Sequence, residues 1–178
     1  MGTIFVDNLE PQSGTSLTLG ASGDTVNLGS GGTVYNTPAF QAKPASTLSV
    51  TGGTITKVAM SVEEWDTNSD YDTSNYRFTP TVAGKYLFYL NLDIEKDSPD
   101  FISRFDIYLY KNGSEVTQSR FNLNSQQDVK AIPRTLSYAA DMNGSTDYME
   151  LYALTSQIGT DYIATDRSYF GAYRLIGA

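Results

Sequence analysis

The chain has 178 residues, of which 20 are acidic and 12 basic, for a net charge of -8, and it contains neither cysteine nor histidine. Without thiols or imidazoles there is no disulfide framework, no Ser-His-Asp or Cys-His catalysis, no zinc-water hydrolysis and no usual transition-metal ligand set, so carboxylates are the catalytic groups that remain. The acidic balance, with no basic run, argues against a protein that tracks nucleic-acid phosphates.

A domain of this length buries roughly 70% of its unfolded surface and stands without staples. No apolar stretch approaches the roughly 20 residues of a membrane span, and the start Met-Gly-Thr-Ile-Phe-Val-Asp has neither the basic nor the apolar region of a signal peptide. The expectation is a chain made in the cytoplasm, neither addressed for export nor inserted in a membrane.

Residues 1–35 are rich in Gly, Ser and Thr, and they repeat. Ser13-Gly-Thr-Ser-Leu17-Thr-Leu19-Gly20 recurs nine residues later as Ser22-Gly-Asp-Thr-Val26-Asn-Leu28-Gly29, and Gly31-Gly32-Thr-Val-Tyr35 keeps the spacing in degenerate form. Each copy reads as a short alternating strand with a Gly-bearing turn, and one such unit cannot bury its own apolar face. Three chains wound together could. A flexible Gly/Ser linker is the alternative, although a linker does not need regularly placed Leu and Val. The domain expectation is an attachment or shaft segment over 1–35 and a head over 36–178.

From Asn36 onward, short alternating segments follow one another with turn signals between them and no helical periodicity. Strands are expected over Ala39–Lys43, Thr54–Val62, Lys85–Glu95, Arg104–Lys111, Glu115–Asn122, Ala131–Ala140, Asp147–Thr155, Tyr162–Thr165 and Tyr169–Ile176. Asn112-Gly113 and Asn143-Gly144 both carry the strongest short-range hairpin signal, because the two central residues of such a turn tolerate positive φ. About ten short strands without a helix make an all-β, antiparallel sandwich or jelly roll.

Within the third of these strands, Tyr86, Phe88, Leu90, Leu92 and Ile94 share one apolar face, while Lys85, Leu87, Tyr89, Asn91 and Asp93 share a mixed one. The Leu and Tyr on that second face suggest that it too is covered, by something other than the domain's own core. The spacing of Asp66, Tyr71, Phe78, Gly84, Tyr86 and Phe88 resembles the signature of the complement globular-head (C-one-q-like) family, a branch of the tumour necrosis factor-like jelly rolls. Ala39-Phe40-Gln-Ala42, Leu109-Tyr-Lys-Asn112-Gly113 and Ser168-Tyr-Phe170-Gly-Ala-Tyr173-Arg-Leu175 fall where that family has its opening strand, central hairpin and closing strand. Met60, Tyr76, Leu90 and Ala172 depart from the pattern, which usually carries Phe, Gly, an aromatic and Gly there. The start of the chain is similar to the shaft-to-head segment of tailed-bacteriophage fibre proteins.

These resemblances imply a homotrimer of jelly rolls with Leu87, Tyr89, Tyr169 and Tyr173 at the contact; ordinary surface tyrosines are the alternative. They also imply a non-enzymatic virion structural protein, a fibre or spike whose residues 1–35 meet other virion proteins and whose head binds a host-surface glycan or protein or decorates the particle. A secreted complement-type ligand or lectin-like module, and a carboxylate glycosidase borne on a fibre, are the competing expectations. No cofactor is expected. Asp66, Asn68, Asp70 and Asp72 alternate like the first half of a calcium loop, but Tyr71 and Arg77 stand where the loop needs Gly and Glu, so Asx turns explain the composition as well. Asp97 and Asp100 form a second acidic loop. Glu63, Glu64 and Glu150 are the candidates for a hydrolytic carboxylate pair, with solvated sheet faces as the alternative. Asn112 and Asn143 match the glycosylation sequon and are read instead as turns.

Overall fold

A computed structural model describes residues 9–13, 17–22, 24–27, 29–30, 37–96, 102–123, 129–155 and 160–176. The chain divides into two units, Met1–Tyr35 and Asn36–Ala178. Among the described residues there are thirteen strands and no helix. They are β1 (Ala39–Lys43), β2 (Leu48–Thr51), β3 (Thr56–Lys57), β4 (Val62–Asp66), β5 (Tyr71–Asp72), β6 (Arg77–Phe78), β7 (Gly84–Glu95), β8 (Arg104–Lys111), β9 (Ser114–Asn122), β10 (Ala131–Met142), β11 (Met149–Thr155), β12 (Thr160–Ile163) and β13 (Tyr169–Arg174).

The strands form two antiparallel sheets. The first runs β2-β12-β7-β13-β1-β4 with β10 also paired to β7, and the second runs β5-β6-β11-β8-β9 with β3 also paired to β11. The alternating sequence of β7 explains why it lies inside the first sheet. Its full length pairs with β10, from Gly84↔Met142 to Glu95↔Ala131, while its other edge is shared by β13 and β12. Tyr86, Phe88, Leu90, Leu92 and Ile94 are all buried, and they face Phe105, Ile107 and Leu109 of β8 and Met149, Leu151 and Ala153 of β11. Around Phe40 the core is aromatic, with ring centroids 4.4 Å from Phe78, 4.7 Å from Tyr71 and 5.2 Å from Phe170.

Two expectations need correction, and for one reason. The run Thr54–Val62 is not a single strand: β3 pairs with β11 in the second sheet, β4 pairs with β1 in the first, and the chain changes sheets between them. Met60 N donates to Val58 O at 3.0 Å, a tight local turn that breaks the ladder while both side chains stay buried. Asn143-Gly144 likewise joins β10 of the first sheet to β11 of the second and is a crossover, not a hairpin. Asn112-Gly113 is the two-residue hairpin its sequence indicates, with φ of 52° and 78° and Lys111 paired with Ser114 across it. Strand β2, which the alternation did not indicate, pairs with β12 at the sheet edge.

In the smaller unit the described residues of the first two repeat copies carry no strand, and the third copy, Gly31–Tyr35, lies outside the described residues. Leu17, Leu19 and Val26 are exposed.

Phe40→Ala removes the ring at the centre of the aromatic stack and is expected to cost about 3–5 kcal/mol of unfolding free energy. Urea denaturation followed by tryptophan fluorescence and circular dichroism measures it, and a loss below about 1 kcal/mol contradicts this core assignment.

Candidate functional site

The outer side of β7 is the face that the sequence leaves unexplained. Pairing sets its neighbours: Leu87 lies between Ala139 and Tyr173, Tyr89 between Ser137 and Gly171, and Asn91 between Thr135 and Tyr169. Beyond β13, Ala39 follows Tyr173 and Gln41 follows Gly171, and the irregular register between β1 and β4 places Trp65 opposite Gln41. The four residues expected at a contact, Leu87, Tyr89, Tyr169 and Tyr173, therefore come together. The Tyr89 ring centroid lies 6.2 Å from those of both Tyr169 and Tyr173. Tyr169 is 36%, Trp65 41% and Tyr173 43% exposed. A depression of about 440 Å³ lies beside them, lined by Tyr89, Leu90, Thr135, Leu136, Ser137 and Tyr169.

Tyr89 is held by a gap in β13. A Cβ on Gly171 would stand 2.5 Å from both Cζ and Oη of Tyr89, so only glycine lets the ring lie across the neighbouring strand. From there the phenol donates to Gln41 Oε1 at 3.1 Å, Gln41 Nε2 donates to Glu64 Oε2 at 2.7 Å, and Lys43 Nζ donates to Glu64 Oε1 at 2.7 Å. The Lys43 bond first, and the Gln41 bond second, hold the Glu64 carboxyl below its ordinary value of 4.5. Burial raises the Tyr89 phenol, with smaller contributions from Tyr169 and Tyr173. The consequence is a tyrosine whose polar end is satisfied inside its own chain, so that covering the face leaves no orphaned donor.

Charges border this apolar centre. At one end Lys85 pairs with Asp141 at 2.6 Å. At the other, Arg167 lies 3.1 Å from Asp93 and also pairs with Glu95, and Asn91 Nδ2 donates to Arg167 O. Burial raises the Asp93 carboxyl, and Arg167 opposes that shift. An apolar middle with a charged margin is the anatomy of a protein contact surface.

The calcium candidates are engaged otherwise. Asp66 accepts the amides of Asn68 and Tyr71, Asp70 accepts the Thr81 amide and the Asn68 side chain, and Asp72 accepts the amides of Ser74 and Asn75 and the Asn75 side chain. Among the described residues no group of three or more acidic side chains could hold a metal ion, and Asp97 and Asp100 lie outside the described residues. Glu64 is on β4 of the first sheet, whereas Glu150 is on β11 of the second, bound to Lys57 and accepting the Tyr152 hydroxyl. Sequence reasoning missed Gln41, Trp65 and Gly171 at the face. Gly171 carries the one signal that could have found them, since a glycine inside a strand often marks a close approach of another group.

No family model matches the sequence, and no curated protein matches it either. Solved structures do. Murine APRIL at pH 5.0 superposes with a TM-score of 0.60 at 9% identity, covering 79% of this chain and 100% of that one. Eiger TNF from S. frugiperda gives 0.55 at 13% identity, covering 80% of this chain and 93% of that one. The fold is a tumour necrosis factor-like jelly roll. Murine APRIL at pH 8.0 gives 0.58 at 9% identity, and identities this low carry the fold and nothing finer.

Gly171→Ala is expected to cost about 1–3 kcal/mol by forcing Tyr89 aside, and part of that cost should disappear in a Tyr89→Ala background. Equal losses in both backgrounds would show that the Phe40 carbonyl, 2.7 Å from the same Cβ, is the real obstacle. Glu64 makes a second test. Because its carboxyl is depressed in the fold, its contribution is present above the unfolded value and is lost as pH falls through the folded one. Wild type should exceed Glu64→Gln in denaturation midpoint at neutral pH, with the gap closing below 4.5.

Proposed function

We propose that this chain is the head of a homotrimeric, non-enzymatic binding protein, with Leu87, Tyr89, Tyr169 and Tyr173 packed about the threefold axis. The observation that carries this reading is the exposed tyrosine cluster on the outer face of β7, whose central phenol is satisfied internally by Gln41. A rotational trimer needs two different patches that fit each other, and the face offers them, with Trp65 toward one edge and the depression beside β10 toward the other.

The carrier we favour is a virion: a fibre or spike of bacteriophage type, with residues 1–35 meeting other virion proteins and the head binding a host-surface glycan or protein, or decorating the particle. The nine-residue repeat with its exposed Leu17, Leu19 and Val26 supports this, since such units become stable only when several chains stack. Three equivalent weak sites on one particle raise avidity by about 10²–10⁴-fold without any chemistry. A secreted ligand of complement or tumour necrosis factor type is the second reading, favoured by the fold shared with murine APRIL and Eiger TNF. The separation of Glu64 and Glu150 onto different sheets weighs against the glycosidase.

Size-exclusion chromatography with light scattering tests the first step. The expected result is a trimer at micromolar concentration that becomes a folded monomer with Leu87→Asp, because a carboxylate would then lie in the apolar centre. A wild-type monomer overturns the proposal. Incubation with host envelope polysaccharide separates binding from hydrolysis, since released oligosaccharide would replace this reading by the enzymatic one.

A further inference from the structure

The tripeptide Asn-Gly-Ser occurs twice, at Asn112-Gly113-Ser114 in the β8–β9 turn and at Asn143-Gly144-Ser145 in the β10–β11 crossover, and both copies are tied to Asp147. Asn112 Nδ2 donates to Asp147 Oδ1 at 2.8 Å, and the Asn143 amide donates to Asp147 Oδ2 at 3.0 Å. Lys111 Nζ lies 2.8 Å from the same Oδ2. The Tyr148 amide completes the junction by donating to Asn112 Oδ1 at 2.9 Å, and the Asn112 amide donates to Tyr148 O at 3.1 Å.

Asparagine followed by glycine is the dipeptide most open to loss of its side-chain amide, because no Cβ shields the next backbone nitrogen. The two copies differ in how tightly the fold holds them. Asn143 Oδ1 accepts the amides of Ser145, Thr146 and Asp147 at 3.0, 2.9 and 3.0 Å, and its Nδ2 donates to Thr146 Oγ1. Gly144 is pressed onto the 82–83 backbone so closely that a Cβ there would stand 2.3 Å from the Ala83 nitrogen. Both asparagines are exposed, but the Asn112 side chain at its hairpin tip makes two hydrogen bonds, and a Cβ on Gly113 would meet nothing nearer than the Tyr148 hydroxyl at 3.6 Å.

We propose that Asn112 is a site of spontaneous deamidation in the folded protein, that Asn143 is protected, and that the change at Asn112 opens the junction with Asp147. In the first step the Gly113 nitrogen gives its proton to hydroxide and bonds to Asn112 Cγ. The bond from Cγ to Nδ2 breaks, and ammonia leaves with a proton taken from water. Water then opens the resulting succinimide at either carbonyl to give aspartate or isoaspartate. No oxidant or reductant is needed. The donor that met Asp147 becomes an acceptor of like charge, with the Lys111 ammonium close enough to offset one carboxylate but not two. That ammonium, and then the Asn112 amide, hold the Asp147 carboxyl below its ordinary value, so it is ionised when the second charge appears. The isoaspartate product also lengthens the backbone of a two-residue turn. Both outcomes loosen the β8–β9 tip from the crossover.

Folded protein held in warm, mildly alkaline buffer, then mapped by peptide mass spectrometry with an isoaspartate assay, tests the site. Conversion at Asn112 should run several-fold faster than at Asn143, and the two rates should converge in denaturant. Equal rates in the folded protein, or faster conversion at Asn143, overturn the proposal. The junction is tested separately. Asn112→Asp should lower the denaturation midpoint, and adding Asp147→Asn should restore it, because an amide at 147 can again meet a carboxylate at 112. Failure of the double change to recover the midpoint overturns the claim that the junction opens through this pair.

Discussion

The hydrogen bonding of β7 along both edges is the constraint on which the rest of this jelly roll depends. With β10 on one side and β13 and β12 on the other, the strand cannot rotate, so each residue is committed to one face. A slip of one residue would exchange Tyr86, Phe88 and Leu90 for Leu87, Tyr89 and Asn91, placing a polar amide in the core and three large buried side chains outside. The depth of the core, and so the penalty for a slip, keeps the tyrosine face outward. Core packing and the outer surface are two results of one register.

On that surface, the polar groups around Tyr89 are satisfied within the chain itself. Tyr89 reaches across bare backbone at Gly171 to an amide that is itself fixed by Glu64 and Lys43, so the most central hydroxyl has no need of water. Arg167 and Lys85 sit at the two ends, each with carboxylates of its own chain. The charges near the middle, Glu64 and Lys43, and those at the ends are all paired within the chain.

Much of the architecture was legible from alternation. The strands around Tyr86, Phe105 and Leu151 emerged where the period of two placed them, and Asn112-Gly113 turned as its residues require. The failures share a cause. Asn143-Gly144 has the same local chemistry, yet it sits where the chain passes from one sheet to the other, and Thr54–Val62 alternates well but bends at Met60 to make the same passage. Turn chemistry states that the chain reverses, not which sheet receives it. Tyr76 shows a different case: its φ is 52°, a left-handed conformation that a non-glycine residue seldom adopts and that no local turn signal announced.

By itself the sequence determined what depends on neighbours along the chain: the all-β class, the inward and outward faces of the strand around Tyr86, and the hairpin at Asn112. Tertiary structure alone decided what depends on distant pairing. It placed Trp65 beside Gln41 through an irregular β1–β4 register, set Lys96 against Asp161 in a buried ion pair 65 residues apart, and engaged the Asp66–Asp72 carboxylates with loop amides. Local spacing encodes which way a side chain points. Which side chain it meets follows from the order of strands in the sheets, because only the assembled sheets bring those residues within reach of one another.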